Sequence, residues 1–258
     1  MPRYALNDLN EIYDQHLRPG YGAIKPDEVL FVQELIESQK PKNFIEIGMA
    51  SGLSGGLISN MLERNDAESF VSLDHNNTFF GDTSKPNGFL IDEIYKGSRL
   101  SVQKKPFHRS LDIGKLGNEF QMSFIDANHR HPWPTIDTAF LYPYLTGEKT
   151  VIHHDYCLFR TQRNTFGVGP KFLYDQFDPA IRITSSANGG NIFALHLKEM
   201  TADDMEQALI DAIYLPWSLG AAMPEDVASQ ILERMADLYS QRMCDAFAFC
   251  LERHNKSI

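Results

Sequence analysis

Two short stretches concentrate the side chains able to move a proton or hold a metal ion: Asp126-Ala-Asn128-His129-Arg-His131 and His153-His154-Asp155. Each overlaps or follows a short apolar run, MSFI at 122–125 and TVIH at 150–153. That pattern predicts two strands whose C-terminal ends carry these groups, at the rim where open α/β sheets bind ligands. Imidazole titrates near neutral pH and, when neutral, offers a ring nitrogen to a metal. Asp126, His129 and His154 are therefore candidate catalytic groups. Asp126, His154 and Asp155 form a candidate mixed nitrogen and oxygen set for a divalent cation, with open positions for a substrate; Mg²⁺ would prefer more oxygen than they offer. Acids at strand ends are costly to shield from water without a ligand, an ion or a hydrogen-bond donor, which favours Asp126 and Asp155 as working residues. His129 and His131, in a loop with Pro132 and Pro134, suit a substrate role and equally an exposed or Trp133-stacked position. His153 reads as a core histidine, because neighbours along a strand point to opposite faces and His153, His154 and Asp155 cannot all serve one ion.

A second constellation is Glu46-Ile-Gly48-Met-Ala-Ser-Gly52-Leu-Ser54, between the apolar run NFIEI at 43–47 and a helical pattern over 53–64. Glycines at a strand-to-helix turn let the backbone approach a ligand, and free amides at the helix start favour an anion. The spacing is E-x-G-x-x-x-G rather than the tighter G-x-G-x-x-G that seats a pyrophosphate. One acid beside a cluster of amides suits a zwitterionic amino-acid end, such as that of S-adenosylmethionine. Asp74 closes the next apolar run at the spacing of a ribose-binding acid. Ser110, after a third strand, is placed beside an adenine. An ordinary turn, with Asp74 capping a loop, is the plain alternative.

The elements that must position these groups follow from periodicity. Helices are expected at 26–39, 53–64, 135–145 and 171–176, and strands at 43–47, 70–73, 100–102, 122–125, 150–153, 181–184 and 192–197, with a loop over 76–88. Such alternation predicts a mostly parallel sheet covered on both faces. Beyond Lys198 two further helices, 205–214 and 224–253, are expected to pack on the sheet or on a second subunit, or to act as a lid. The division is thus 1–198, including a lead-in at 1–40, and a helical extension 199–258.

A net charge of −10 argues against a partner made of nucleic acid or an acidic membrane. Three cysteines without a CxxC pair, and the lack of a basic-then-apolar leader or a long apolar span, fit a cytoplasmic protein that acts on a small molecule. A homodimer through the C-terminal helices is a further expectation.

With these residues in view, the chain resembles the class I S-adenosylmethionine-dependent methyltransferases over roughly 26–198, most closely the small-molecule O-methyltransferases that include macrocin-type enzymes. The likeness rests on EIGMASGLS, VSLD and FIDANHRHPWPTIDTAFLYPYLTGEKTVIHHDY. It implies a Rossmann-like, doubly wound, seven-stranded sheet. S-adenosylmethionine would lie against Glu46, Gly48, Gly52, Ser54, Asp74 and Ser110, and Asp126 would face the transferred methyl group. In metal-dependent relatives, acids matching Asp126, His154 and Asp155 hold a divalent ion and the second acid of an I-D-G-D run is the base. Here Asn128 and His154 stand where that pattern has acids. A non-catalytic binding module and a metal-dependent hydroxylase of similar appearance are the competing readings.

Overall fold

Strand β1 (Asn43–Ile47) is buried from Phe44 to Ile47, as a strand covered on both faces must be. Its side chains divide by parity, Phe44 joining one apolar cluster and Ile45 and Ile47 the other. The computed structural model, which describes residues 3–161 and 166–258, sets β1 third from one edge of a seven-stranded sheet. The other strands are β2 (Ser69–Asp74), β3 (Ser101–Pro106), β4 (Phe120–Ile125), β5 (Leu145–His153), β6 (Arg182–Thr184) and β7 (Phe193–His196). Their spatial order is β3-β2-β1-β4-β5-β7-β6. The first five run parallel, and β7 is antiparallel to both β5 and β6. This is the expected Rossmann-like, mostly parallel architecture. The chain moves outward in one direction from β1 and in the other from β4, so a crevice opens where their C-terminal ends meet.

Helices α1 (Leu6–His16), α2 (Pro26–Gln39), α3 (Leu53–Arg64) and α4 (Phe89–Ile94) lie on one face. Val32, Ile36, Leu57 and Met61 pack there against Phe44, Phe70 and Phe124. The opposite face carries α5 (Trp133–Leu141), α6 (Gly169–Asp175), α7 (Ala202–Ile213), α8 (Glu225–Leu238) and α9 (Gln241–Asn255). Leu209, Ile231 and Phe247 from the last three share a core with Ile45, Val71 and Phe140. The extension therefore packs on the sheet. No helix among the described residues is long and apolar enough to cross a membrane.

Three expectations are corrected. The continuous helix over 224–253 is two helices, because Tyr239 is extended, its hydroxyl donates to the Ala139 carbonyl, and Ser240 bonds to Glu206. The loop at 76–88 contains a short antiparallel hairpin, Thr78–Phe79 with Asp82–Pro86, anchored by buried Phe79. The helix expected to reach 145 stops at Leu141. A 3-10 turn through Pro143 follows, and Leu145 already pairs with Phe120 in the sheet.

Candidate functional site

The crevice holds a cavity of about 450 Å³ bordered by Gly48, Asp74, Asn76, Ser110 and Asp126, among others. Gly48 has φ +102°, and a Cβ there would stand 2.2 Å from the Asp126 carbonyl oxygen, so only glycine lets the ends of β1 and β4 come this close. Gly52 has φ +87° and serves the helix layer instead: a Cβ would stand 2.7 Å from Gly88 Cα.

Asp74 borders the cavity and also latches the turn. Its Oδ2 accepts from the amides of Met49 and Ala50, both at 3.1 Å, and its Oδ1 from Asn76 N at 2.9 Å. The amide of Gly48 donates to Leu73 O and that of Gly52 to Met49 O. The amides at 48, 49, 50 and 52, expected to be free for an anion, are thus engaged by the protein itself. Glu46 is fully buried behind the turn, where Ser54 Oγ and Ser72 Oγ each donate to it at 2.5 Å. Burial pushes its carboxyl up to about 8, although both serines and their hydrogen bonds oppose the rise. Glu46, Gly52 and Ser54 are not among the described residues that border the cavity.

Ser110 borders the cavity and donates to Asp137 Oδ1 at 2.6 Å. Burial raises the Asp137 carboxyl to about 6, against the pull of Ser110 and His129. Pro224 and Val227 reach the cavity from the C-terminal extension.

At the β4 end the cavity meets a cluster of four titratable groups. Ligand atoms of Asp126, His129, His154 and Asp155 all lie within 4.8 Å of one another. Asp126 Oδ1 is 3.1 Å from both His129 Nε2 and His154 Nδ1, and Asp155 Oδ2 is 3.3 Å from His129 Nε2. The far nitrogen of His154, Nε2, is 3.0 Å from Glu28 Oε2 on α2. Desolvation works to raise the Asp126 carboxyl, but His154 and His129 hold it far below the usual carboxylate range. Burial works to lower both imidazoles, and the carboxylates around them override it: His129 is raised by Asp126 and Asp155, and His154 well above its ordinary value by Asp126, Glu28 and Asp155. Asp126 and Asp155 with the two imidazoles form a donor set that suits a bound cation, and Glu28 stands behind His154. On the far side of His154 and Asp155 lies a second cavity of about 340 Å³, bordered also by Lys25, Glu28 and Asn188.

The two remaining histidines of these stretches face elsewhere. His153 is buried, stacks on Phe193 at 5.2 Å and lies 3.0 Å from Thr138 Oγ1, the core position expected. His131 is neither exposed nor stacked on Trp133; it is fully buried, edge-on to Phe172 at 5.3 Å. Burial lowers both rings to about 3. Three participants escaped the sequence reading. Glu28 is by position a first-turn acid of α2, and Asn191 lies in the loop before β7. Asp137 had a signal, being an acid inside the apolar helix pattern WPTIDTAFL.

Residues 45–156 match the family model for a methyltransferase domain, and no curated protein matches the sequence. Among solved structures, a provisionally named caffeoyl-CoA O-methyltransferase from Staphylococcus aureus superposes with a TM-score of 0.51 at 15% identity, covering 75% of this chain and 91% of that one. The O-methyltransferase TomG from Streptomyces achromogenes, solved with S-adenosylmethionine, gives 0.49 at 17% identity over 76% and 91%. A provisionally named O-methyltransferase from Klebsiella pneumoniae gives 0.49 at 16% over 76% and 90%. The first of these likenesses supports the fold. Strand order and crevice agree with a Rossmann-like methyltransferase fold, and residues 45–156 match the model of a methyltransferase domain.

Proposed function

We propose that this protein transfers the methyl group of S-adenosylmethionine to a hydroxyl of a small molecule. The observation that carries the reading is continuity: the cavity at the β1 turn runs past Asp74 to Asp126, and Asp126 is also a corner of the proton-handling cluster. The ribose would meet Asp74 and Asn76, the purine would lie towards Ser110, and the sulfonium end would face Asp126. Glu46, Gly52 and Ser54 hold the turn in shape.

Methyl transfer to oxygen is an in-line displacement that needs alignment and the removal of one proton. Asp126 borders the first cavity, touches His154, which borders the second, and orients the acceptor hydroxyl. With no ion bound, the neutral ring of His129, which shares the Asp126 Oδ1 with His154, takes up the released proton, whereas His154, held between Glu28 and Asp126, already carries one. The second cavity, polar at Lys25, Glu28 and Asn188, receives the acceptor. Asp126, His154 and Asp155, with His129 beside them, have the donor chemistry to hold a divalent ion, which when bound would acidify the acceptor hydroxyl. A homodimer through the C-terminal helices belongs to the same reading, supported by exposed Tyr214 and Phe249, whose rings are 6.1 Å apart on that surface.

Calorimetry with S-adenosylhomocysteine, S-adenosylmethionine and NAD tests the reading. Heat from the first two and none from NAD is expected; heat from NAD alone sinks it.

A further inference from the structure

The cluster at the β4 and β5 ends is not an all-oxygen site. Its four donors are two carboxylates and two ring nitrogens, brought together from the β4 loop and the end of β5. Their spacing is informative. Asp126 Oδ1 is 3.1 Å from His129 Nε2 and from His154 Nδ1, His129 Nε2 is 3.3 Å from Asp155 Oδ2, and His154 Nδ1 is 3.6 Å from Asp155 Oδ1. Two ligands side by side on one ion, each with a bond of about 2.1 Å, stand roughly 3.0 to 3.4 Å apart.

Beyond the donors sits a carboxylate from another part of the chain. Glu28 is 0% exposed, and its Oε2 faces His154 Nε2 at 3.0 Å. It is itself fixed: Lys25 N donates to Oε2 at 2.7 Å, and Asn188 Nδ2 and Asn191 Nδ2 donate to Oε1 at 3.2 and 3.3 Å. Asn191 also donates to Asp155 Oδ1 at 2.9 Å, tying this support to a second donor. A histidine whose outer ring nitrogen is held by a carboxylate presents the other nitrogen inward, with ring orientation and tautomer set.

We propose that Asp126, His129, His154 and Asp155 form a centre for a first-row transition ion of borderline softness, such as Co²⁺ or Zn²⁺, in preference to Mg²⁺, and that Glu28 is the positioning residue that orients His154 within it. The proposal deepens the methyltransferase reading, on which it rests for the use of the ion, by naming the ion's class and a residue outside 45–156 that supports it. Mg²⁺ keeps oxygen ligands and demands an oxygen octahedron, whereas imidazole suits the later ions. Glu28 adds charge and direction without taking a coordination position.

The test uses the full chain, stripped with a chelator and titrated separately with CoCl₂, ZnCl₂, MnCl₂ and MgCl₂ by calorimetry. Visible absorption of the Co²⁺ form reports on its ligands. One site per chain is expected, with Co²⁺ or Zn²⁺ binding a hundredfold or more tighter than Mg²⁺ and tighter than Mn²⁺, and with His129→Ala and His154→Ala each changing the Co²⁺ spectrum. Glu28→Gln, which keeps an acceptor for Lys25 N, should weaken Co²⁺ about 10- to 100-fold while leaving S-adenosylhomocysteine binding unchanged. Equal affinity for Mg²⁺ overturns the ion class. Unaltered Co²⁺ affinity in folded Glu28→Gln overturns the role of Glu28. No heat from any of these ions, with S-adenosylhomocysteine still binding, leaves the cluster an ion-pair network and removes this inference alone. Absence of S-adenosylhomocysteine binding removes the methyltransferase reading itself.

Discussion

Asp74→Ala separates the two jobs that one carboxylate performs. The side chain accepts three backbone amides, from Met49, Ala50 and Asn76, and is partly open to the crevice. Removing it leaves those donors without their acceptor, but they lie beside a cavity that water can enter. The stability cost should therefore be near the lower end of the range for a lost charged acceptor, about 1 to 3 kcal/mol. Ligand affinity carries a separate cost. If the two ribose hydroxyls bond to this carboxylate, their loss weakens S-adenosylhomocysteine by roughly 1 to 3 kcal/mol, which is about 5- to 150-fold in Kd. Asp74→Asn isolates the effects further: one carbonyl oxygen can still serve the amide pair at 49 and 50, but a ribose loses one of its two acceptors. Its stability should lie nearer wild type, while its affinity still drops several-fold. Urea unfolding and calorimetry on the same preparations read both quantities. A folded Asp74→Ala that binds S-adenosylhomocysteine as tightly as wild type would show that Asp74 is a latch for the turn and no part of a ribose site.

Three further perturbations follow. Glu46 has a folded-state value of about 8 against an ordinary value of 4.5, so the folded state binds this proton more tightly than the unfolded chain; stability from Glu46 is present below pH 4.5 and lost as pH rises to 8, at up to about 1.4 kcal/mol per pH unit. Glu46→Gln should therefore gain on wild type from pH 5 to pH 8 in urea unfolding, and parallel curves would contradict the buried-acid account. His153 is held neutral down to about 3 against an ordinary 6.5, so its contribution is lost as pH falls below 6.5; His153→Phe keeps a ring against Phe193 and leaves Thr138 bonded to the Pro134 carbonyl, and should unfold at a lower pH than wild type in a circular-dichroism acid titration. A chain ending at Lys198 loses the α7–α9 side chains that share a core with Ile45, Val71 and Phe140, and should aggregate or bind a hydrophobic dye, whereas a soluble, cooperatively folding product would show that the extension is dispensable to the core.

What the sequence disclosed and what it hid divide along contact distance. Helices α2 and α3 were legible to the residue at both ends, because Pro26 opens one and Gly52 the other, and both carry apolar positions at helical spacing. The turn at Gly48 and the strand ends at Asp74, Asp126 and His153 were legible for the same local reason. The break at Tyr239 was not, since the apolar stripe runs on through it and a bond to Ala139, far away in sequence, interrupts the helix. The site divides in the same way. Asp126, His154 and Asp155 came forward as a set because they end adjacent strands. His129 was read apart from that set because spacing alone did not say that the β4 loop folds back on β5. Face alternation rightly removed His153, but it left no second imidazole until the loop supplied one. Glu28 was invisible in this role because a single carboxylate does two things at once: it accepts Lys25 N as any first-turn acid of a helix does, and it meets His154 across the fold. Only the docking of α2 against the β5 end makes the second contact, and that docking comes from the apolar face of Val29, Val32 and Ile36 packing beneath the sheet. The cluster's geometry therefore depends on a helix outside the matched domain. A weakening of α2 packing should loosen His154 before it disturbs Asp126, whose amide donates to the Ile47 carbonyl at the end of β1.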